Sequence, residues 1–270
     1  MKSINPLYQR EIIGLIPAGG TASRLGTLPC SKELLPIGFK TGVDGFPRPK
    51  PVSLYLLEKY NKGGAEKTLF ILRAGKWDIP AYYGDGRVTG MDMGYLIMDL
   101  PYGVPYTLDQ AYPFVKHATV YLGFPDILFE PEDAFARLHE RLEETGADLV
   151  AGLFEVRDQE QKRKSDMVAM DTSGNIVEIN IKPKAECDLA HSWIIAAWTP
   201  VFTEFMHDFL RLDQTERGKN LNPAEIYLGH VMQAAIAHGL KVNSVFFPGH
   251  TFLDVGTPVN LMEAVGNPPT

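Results

Sequence analysis

The sequence lacks the features of a disulfide-rich, membrane-spanning or nucleic-acid-binding protein. Only two cysteines, Cys30 and Cys187, occur among its 270 residues, which is too few for a disulfide scaffold and predicts a reducing, cytoplasmic location. No apolar run approaches the about 20 residues that span a bilayer, and Arg10 and Glu11 stand where a signal peptide would be apolar. A net charge of −7 argues against nucleic acid as the main partner.

The composition is that of an ordinary globular protein. Hydrophobic residues make up 45% and charged residues 22% of the chain, so disorder and fibrous repeats are excluded. The length suffices for one large α/β domain or two small ones. Because no linker, internal repeat or low-complexity segment divides the chain, we predict a single domain over residues 1–270. A small phosphorylated substrate fits the negative net charge, since a few local cations and a metal ion can bind it.

The first half of the chain alternates strand-like and helix-like segments. The apolar run at residues 12–17 ends in glycines and predicts a buried strand. Residues 51–61 carry apolar side chains at helical spacing before Gly63, and residues 68–72 are strand-like again. Repeated strand–helix–strand order implies crossover connections and a mostly parallel sheet. Residues 38–49, rich in glycine and proline, are predicted to form a loop.

The second half predicts antiparallel additions to one edge of that sheet. Short strands separated by turn residues are expected at 167–170, 176–180 and 193–197. Helices are expected at about 200–210, 222–238 and 257–265. The fold class is therefore α/β, a Rossmann-like α/β/α domain with a mostly parallel central sheet and antiparallel additions.

A glycine-rich segment after the first strand is the first candidate site. Gly19 and Gly20 expose backbone N–H groups that suit phosphate oxygens or the edge of a base. Arg24 adds a bidentate cation, and Lys32 adds a second positive charge. The patterns G-x-x-x-x-G-K-[ST] and G-x-G-x-x-G are both absent, which argues against a P-loop and against a dinucleotide oxidoreductase. On the glycines alone, a plain strand-to-loop turn is the alternative.

Two aspartates are the second candidate. Asp126 lies just past an apolar strand, where parallel sheets place functional carboxylates. Asp254 lies between apolar residues and close to Gly256, so a nearby cation would offset the cost of burying its charge. Either aspartate could instead belong to a turn or a helix N-cap, and for Asp254 the following Thr257 and Pro258 resemble a helix start.

Seven segments in order resemble one enzyme family. LIPAGGTASRL followed by SKELLPIG is similar to the signature of sugar-1-phosphate nucleotidyltransferases, roughly AGG-x-G-[ST]-R-L and then P-K-x-L-L-P. The other matching segments are PVSLYLLEKYNKGGAEKTLFIL, GVPYTLDQA, YLGFPDILF, IVEINIKPK, EIYLGHVMQ and FLDVGTPVNLMEA. Together they extend from about residue 12 to residue 265.

The resemblance implies a cytoplasmic, Mg²⁺-dependent enzyme that transfers a nucleotidyl group from a nucleoside triphosphate to a sugar 1-phosphate and releases pyrophosphate. It assigns Ala18, Gly19, Gly20, Thr21 and Gly103 to the nucleotide, Arg24 and Lys32 to the triphosphate, Asp126 and Asp254 to Mg²⁺, and Lys182 to the acceptor phosphate. No nucleic acid or membrane partner is expected. Because relatives commonly pair, a homo-oligomer is a further expectation.

The chain departs from the family pattern at several positions, including Ala196 and Ala197, where the family has a glycine before the aromatic residue. Ala22 replaces a glycine in the first loop, and Ser31 replaces the proline before Lys32. Ile181 replaces the glutamate before Lys182, which holds a sugar hydroxyl in the family. We therefore expect an acceptor other than plain glucose 1-phosphate, unless a nearby residue such as Glu178 or Asn180 holds that hydroxyl.

Two other functions are alternatives. The departures suggest a non-catalytic relative that binds a nucleotide or sugar nucleotide and regulates another process. A metal-dependent glycosyltransferase of related fold is disfavoured because the sequence has no D-x-D motif.

Overall fold

A computed structural model describes residues 10–42, 44–98, 102–217 and 225–269. The strands in chain order are β1 (Ile12–Ala18), β2 (Pro36–Thr41), β3 (Pro47–Pro51), β4 (Lys67–Arg73), β5 (Asp92–Met98), β6 (Thr119–Leu122), β7 (Ile127–Phe129), β8 (Leu149–Glu155), β9 (Asp166–Met170), β10 (Ile176–Ile181), β11 (His191–Trp198), β12 (Val242–Phe246) and β13 (Phe252–Asp254). The helices are α1 (Val52–Lys62), α2 (Asp78–Tyr83), α3 (Val104–Asp109), α4 (Tyr112–Val115), α5 (Ala134–Thr145), α6 (Gln159–Lys162), α7 (Pro200–Arg217), α8 (Leu228–Ala237) and α9 (Pro258–Gly266).

A nine-stranded mixed sheet forms the centre of the molecule. Its main path runs β10-β9-β11-β6-β1-β4-β5, and β8 joins β11 to β12. The pairs β1–β4, β1–β6, β4–β5 and β8–β12 are parallel, whereas β11 is antiparallel to β6, β8 and β9. The predicted parallel sheet with antiparallel additions on one side is therefore confirmed.

Helices cover both faces of this sheet. Ile13 and Leu15 of β1 belong to a hydrophobic cluster with residues of α3, α7 and α8, whereas Ile16 and Ala18 belong to a second cluster with residues of α1 and α5. Successive side chains of a strand point to opposite faces, so the continuous apolar run of β1 fills two cores at once. This arrangement gives the expected α/β/α layers. No helix in the described part of the chain is both long and apolar enough to cross a bilayer.

The glycine- and proline-rich segment at 38–49 contains a β-hairpin, so the loop prediction is wrong there. Strands β2 and β3 pair antiparallel, with Lys40 opposite Arg48 and Gly38 opposite Lys50. The prolines of β3 occupy every second position, 47, 49 and 51, opposite Thr41, Phe39 and Pro36. In an antiparallel pair, every second residue directs its backbone polar groups away from the partner strand. Prolines at those positions remove no donor from the ladder.

Two helix boundaries also differ from the sequence prediction. α7 continues beyond residue 210 to Arg217, and α8 begins at Leu228 rather than at 222. Of that predicted first turn, residues 222–224 lie outside the described part of the chain, and residues 225–227 are not helical. Tyr227 has an extended backbone and is the N-cap residue of α8, so the helix starts immediately after it.

The topology places the candidate residues at one edge of the sheet. β1 and β6 are parallel neighbours, with Ile12 opposite Thr119 and Leu15 opposite Leu122. Both strands therefore end at the same edge, where the loop after Ala18 and the loop that carries Asp126 follow them. Ligands of open α/β sheets bind at this carboxyl edge.

Candidate functional site

The loop after β1 keeps a glycine-like backbone although one of its glycines is replaced. Ala22 adopts φ 54° and ψ 27°, in the left-handed region, just before a single 3₁₀ turn at Ser23–Leu25. For an L-residue with a side chain, this conformation costs about 1–2 kcal/mol of conformational free energy. The backbone at Ala22 is therefore strained, and the turn that follows it carries Arg24.

The first cavity, of about 600 Å³, lies beside this loop. Gly19, Gly20 and Thr21 form one wall, and Gly103 with Thr107 at the start of α3 contributes to the rest. This size is typical of a small-molecule site. Four of the five residues predicted to bind the nucleotide thus line one cavity, whereas the fifth, Ala18, is buried at the end of β1.

Gly103 has a packing reason to be glycine as well. Its φ is 111°, and a Cβ atom there would lie 2.2 Å from the carbonyl oxygen of Ile226. A larger residue would push α3 away from the segment before α8. The close contact therefore fixes one wall of the first cavity, independently of any ligand.

An ion pair between Lys32 and Asp126 lies next to the glycine loop. The ammonium contacts Asp126 Oδ2, and it lies 3.8 Å from the position that a Cβ atom on Gly20 would occupy. Burial lowers the pKa of the Lys32 ammonium, but the charges of Asp126, Glu33 and Asp254 outweigh this effect and raise it above its usual value. Lys32 therefore remains a cation beside the first cavity.

Arg24 and Asp254 form the second charged pair of the site. Arg24 Nη2 lies 3.7 Å from Asp254 Oδ2, and the backbone N–H of Gly256 donates to Asp254 Oδ1 over 2.8 Å. A Cβ atom on Gly256 would lie 2.8 Å from the Arg24 guanidinium. A side chain at this position would have to displace the guanidinium from Asp254. The N-cap of α9 is Thr257, which accepts from the backbone N–H of Asn260, so the N-cap alternative for Asp254 is wrong.

A short two-stranded sheet brings the two aspartates together, although they are far apart in the sequence. β13 pairs antiparallel with β7, so that Asp254 lies opposite Ile127. The backbone N–H of Val255 also donates to the carbonyl of Asp126 over 2.9 Å. The charges of Asp126 and Asp254 both help to raise the pKa of the Lys32 ammonium, although only Asp126 forms an ion pair with it.

The two carboxylates suit a divalent cation that is shared with a bound phosphate. Within the described residues there is no cluster of three or more histidine, cysteine, aspartate or glutamate side chains that could enclose a metal. Mg²⁺ usually takes one or two carboxylates, several waters and substrate phosphates rather than an all-protein cage. Asp126 and Asp254 could therefore hold a hard divalent cation that also binds a phosphate group.

The two ion pairs, Lys32 with Asp126 and Arg24 with Asp254, form a charged cluster. A second cavity, of about 650 Å³, lies beside it. Arg24 and Asp254 line it, Lys182 lines it as well, and Val104 borders both cavities. Lys182 follows β10 with φ 44°, and its Nζ lies 3.4 Å from the centroid of the Tyr227 ring. The lysine is thus held over an aromatic ring at the cavity rather than extended into solvent.

Ser31 and Asp78 form a contact that the sequence did not suggest. The backbone N–H and the hydroxyl of Ser31 donate to the two oxygens of Asp78 over 2.6 and 2.7 Å. Burial raises the pKa of the Asp78 carboxyl, but the two bonds from Ser31 outweigh it and hold the pKa below its usual value. A proline, which the family has at this position, could make neither bond. The replacement therefore anchors the start of the turn that carries Lys32.

We expect Asp78→Asn to destabilise the protein modestly and in a pH-dependent way. Weakening the two bonds should cost about 1 kcal/mol, which corresponds to a Tm lower by about 2–4 °C in a domain of this size. Because folding lowers the pKa, the wild-type advantage is fully present above the unfolded-state pKa and is lost as pH falls through the folded-state pKa. Thermal unfolding at several pH values measures it, with the exposed Asp92→Asn as control. A pH-independent difference would contradict this account.

Sequence reasoning also missed a buried ion pair behind the site. Glu33, next to Lys32, is fully buried and accepts from Lys76 Nζ over 2.6 Å. Burial raises the pKa of the Glu33 carboxyl, and the Lys76 charge only partly opposes this effect. Glu33 is distant from Lys76 in the sequence, so no local pattern could reveal the pair.

The comparisons with known proteins agree with this fold. No protein-family model matches the chain. The chain is 26% identical over 258 residues to the low-salt glycan biosynthesis nucleotidyltransferase of Haloferax volcanii, and 24% identical over 255 residues to a glucose-1-phosphate thymidylyltransferase of Streptomyces antibioticus. These matches cover 93% and 92% of this chain but only 64% of either relative. The chain thus spans slightly less than two thirds of the curated relatives that it matches.

Solved structures show the same architecture at lower identity. A structure from Bacillus anthracis, assigned as a glucose-1-phosphate thymidylyltransferase and bound to sucrose, superposes with a TM-score of 0.76 at 20% identity, covering 94% of both chains. A UDP-glucose pyrophosphorylase bound to UDP-glucose superposes with a TM-score of 0.71 at 17% identity, covering 95% of this chain and 97% of the other. The resemblance to nucleotidyltransferases and the fold class expected from the sequence are both confirmed.

Proposed function

We propose that this protein transfers a nucleotidyl group from a nucleoside triphosphate to a sugar 1-phosphate, giving a nucleoside diphosphate sugar and pyrophosphate. The observation that carries the proposal is the cluster of two ion pairs beside the glycine loop. Lys32 paired with Asp126 and Arg24 paired with Asp254 lie at the glycine loop of the first cavity, and Arg24 and Asp254 also line the second. The names of the curated relatives support the same class of reaction.

In this proposal, the first cavity holds the nucleotide. The backbone at Gly19 and Gly20 lies close to the ligand because no side chain intervenes, and Gly103 closes the opposite side. Arg24 and Lys32 neutralise the triphosphate and then the leaving pyrophosphate, on which negative charge grows during the reaction. Their positions beside Gly20 and Gly256 follow from the contacts described above.

The second cavity holds the acceptor, and Lys182 binds its phosphate. A phosphate oxygen of the acceptor attacks the α-phosphorus, a bond forms between them, and the bond to the β-phosphate oxygen breaks. A sugar phosphate is already an anion at neutral pH, so no side chain needs to remove a proton. The protein contributes position and charge, which is what phosphoryl and nucleotidyl transfer require.

Asp126 and Asp254 would hold Mg²⁺ in this reaction. When bound, Mg²⁺ neutralises triphosphate charge and polarises the reacting phosphate. Lys32 contacts Asp126 in the structure, so the ammonium and the metal would share this carboxylate's charge. The choice of Mg²⁺ rests on the oxygen donors of the two aspartates.

The test is release of pyrophosphate from a matrix of the five common nucleoside triphosphates and several sugar 1-phosphates, with and without Mg²⁺. We expect release only when a triphosphate, an acceptor and the metal are all present, with one base preferred. Tight nucleotide binding in a thermal-shift assay without pyrophosphate release from any pair would instead support the non-catalytic alternative.

A further inference from the structure

The lysine of the second cavity is held by an aromatic ring rather than by a carboxylate. Lys182 Nζ lies 3.4 Å from the centroid of the Tyr227 ring, and both side chains line the cavity. In the described part of the chain, the Lys182 ammonium has neither a hydrogen bond nor an ion pair. The ring is therefore the contact that keeps this ammonium at the cavity.

The backbone of Lys182 is strained where it carries this side chain. Lys182 follows β10 directly, and its φ of 44° lies in the left-handed region. Among the described residues, Ala22 of the glycine loop is the other non-glycine residue with a positive φ. Such conformations persist only where the surrounding structure holds them, and they cluster at functional sites. Contacts of the Lys182 side chain therefore have to offset the strain, and Tyr227 supplies one.

Tyr227 is itself fixed by the first turn of α8. Its backbone N–H donates to His230 Nδ1 over 3.0 Å, and its carbonyl accepts from the backbone N–H of His230 over 3.0 Å. The rings of Tyr227 and His230 also stack, with 5.6 Å between their centroids and 18° between their planes. These contacts tie both the backbone and the ring of Tyr227 to the helix. The ring is therefore a fixed support for the ammonium.

The carboxylate in this part of the cavity is engaged by other groups. Asp166 of β9 lies opposite Ile181 of β10. Burial raises the pKa of the Asp166 carboxyl, and the Lys182 charge opposes this rise. The Trp193 side chain and the backbone N–H of Gly229 favour the ionised carboxyl as well. Asp166 thus acts on Lys182 through its charge without forming an ion pair with it.

An aromatic ring holds an ammonium group without using all of its donors. A carboxylate would accept hydrogen bonds from the ammonium, and an incoming phosphate would have to displace that carboxylate. The ring face instead attracts the positive charge through its quadrupole. Because an ammonium group has three N–H donors, those that point away from the ring stay available to a ligand. A phosphate oxygen can therefore bind Lys182 while the contact with Tyr227 persists.

We propose that Tyr227 is a positioning residue for the acceptor phosphate, and that its ring holds the Lys182 ammonium where this phosphate binds. The inference rests on the proposed function, in which Lys182 binds the phosphate of the acceptor. It requires the ring of Tyr227 and not its hydroxyl. Tyr227 lines the second cavity and not the first, so its loss should affect the acceptor and spare the triphosphate.

The first test is a double-mutant cycle on the KM for the sugar 1-phosphate that reacts best. Tyr227→Leu should raise this KM by about fivefold or more, with the KM for the triphosphate unchanged. Tyr227→Phe, which keeps a ring, should show only a small part of the increase. In a Lys182→Met background, Tyr227→Leu should add little, because two residues that act through one contact are not additive. Tyr82→Leu removes an exposed tyrosine that lines neither cavity, and should change nothing.

A second measurement keeps the shape of the side chain. Phenylalanine analogues at position 227 with one, two and three ring fluorines weaken the negative potential of the ring face step by step. The KM for the acceptor should rise with each fluorine, because the attraction of an ammonium group to a ring depends on that potential. A ring that only packs against its neighbours would give the same KM throughout the series, and this result would overturn the proposal.

The outcomes separate this proposal from the proposed function. If Tyr227→Leu has the same effect in the Lys182→Met background, or raises the KM for the triphosphate as much, Tyr227 only supports the start of α8 and the proposal is overturned. If the wild type transfers no nucleotide to any acceptor, the proposed function fails instead. Titration calorimetry with inorganic phosphate then decides the positioning claim. Weaker binding in both Lys182→Met and Tyr227→Leu, with most of the affinity kept in Tyr227→Phe, supports it. Unchanged affinity in Tyr227→Leu, or no binding by the wild type, overturns it.

Discussion

Asp126→Asn is expected to abolish nucleotidyl transfer while the protein stays folded. Asp126 is the carboxylate that pairs with Lys32, and this ion pair orients the ammonium beside the glycine loop. The amide keeps the shape of the side chain but removes a full charge where Mg²⁺ would bind. Loss of such a charge from a reacting phosphate centre should lower kcat by about a thousandfold or more.

The measurement is steady-state pyrophosphate release at saturating Mg²⁺, with thermal unfolding as the check on folding. Asp92→Asn removes the same charge from an exposed position at the start of β5 and should behave like wild type. Chelation of the metal should eliminate wild-type turnover. Turnover in Asp126→Asn within a few-fold of wild type, or insensitivity to chelator, would show that this carboxylate holds no catalytic metal.

Arg24→Ala is expected to lower kcat/KM by about a hundredfold or more, with a small effect on stability. The Arg24 side chain is 60% exposed and its ion pair with Asp254 is long at 3.7 Å, so the pair contributes little to folding. Its guanidinium lines the second cavity, and in the proposed function it binds the triphosphate. A bidentate cation there strengthens its hold as negative charge moves onto the leaving pyrophosphate, so the loss should appear mainly in kcat.

Two further variants serve as an intermediate case and a control for this measurement. Arg24→Lys keeps the charge but not the bidentate geometry, and should fall between wild type and the alanine variant. Arg87→Ala removes an arginine whose side chain is 91% exposed and lines neither cavity, and should leave kcat/KM unchanged. A reduction of only a few-fold in Arg24→Ala would place this residue on the protein surface, outside the reaction.

Local sequence patterns were sufficient for the elements that one stretch of chain determines. The apolar run of β1 ending in glycines predicts a buried strand and then a turn whose backbone N–H groups suit a phosphate. Both features depend on neighbouring residues only. The same holds for the alternation of strands and helices, which fixes crossover connections and hence the carboxyl edge of the sheet as the place for Asp126. The β2–β3 hairpin was missed because a high glycine and proline content indicates a turn. Composition does not show that the prolines occupy alternate positions of a strand that pairs with β2.

The tertiary structure alone decided which distant residues meet. Strand pairing between β13 and β7 joins Asp254 to Asp126, and the register of β9 against β10 puts Asp166 opposite Ile181. Neither pairing leaves a local trace, because a hydrogen-bonded register depends on the packing of the whole sheet rather than on the residues of one strand. The sequence by itself therefore determined the fold class and the candidates for phosphate chemistry, whereas the carboxylate opposite Ile181 became visible only when two strands lay side by side.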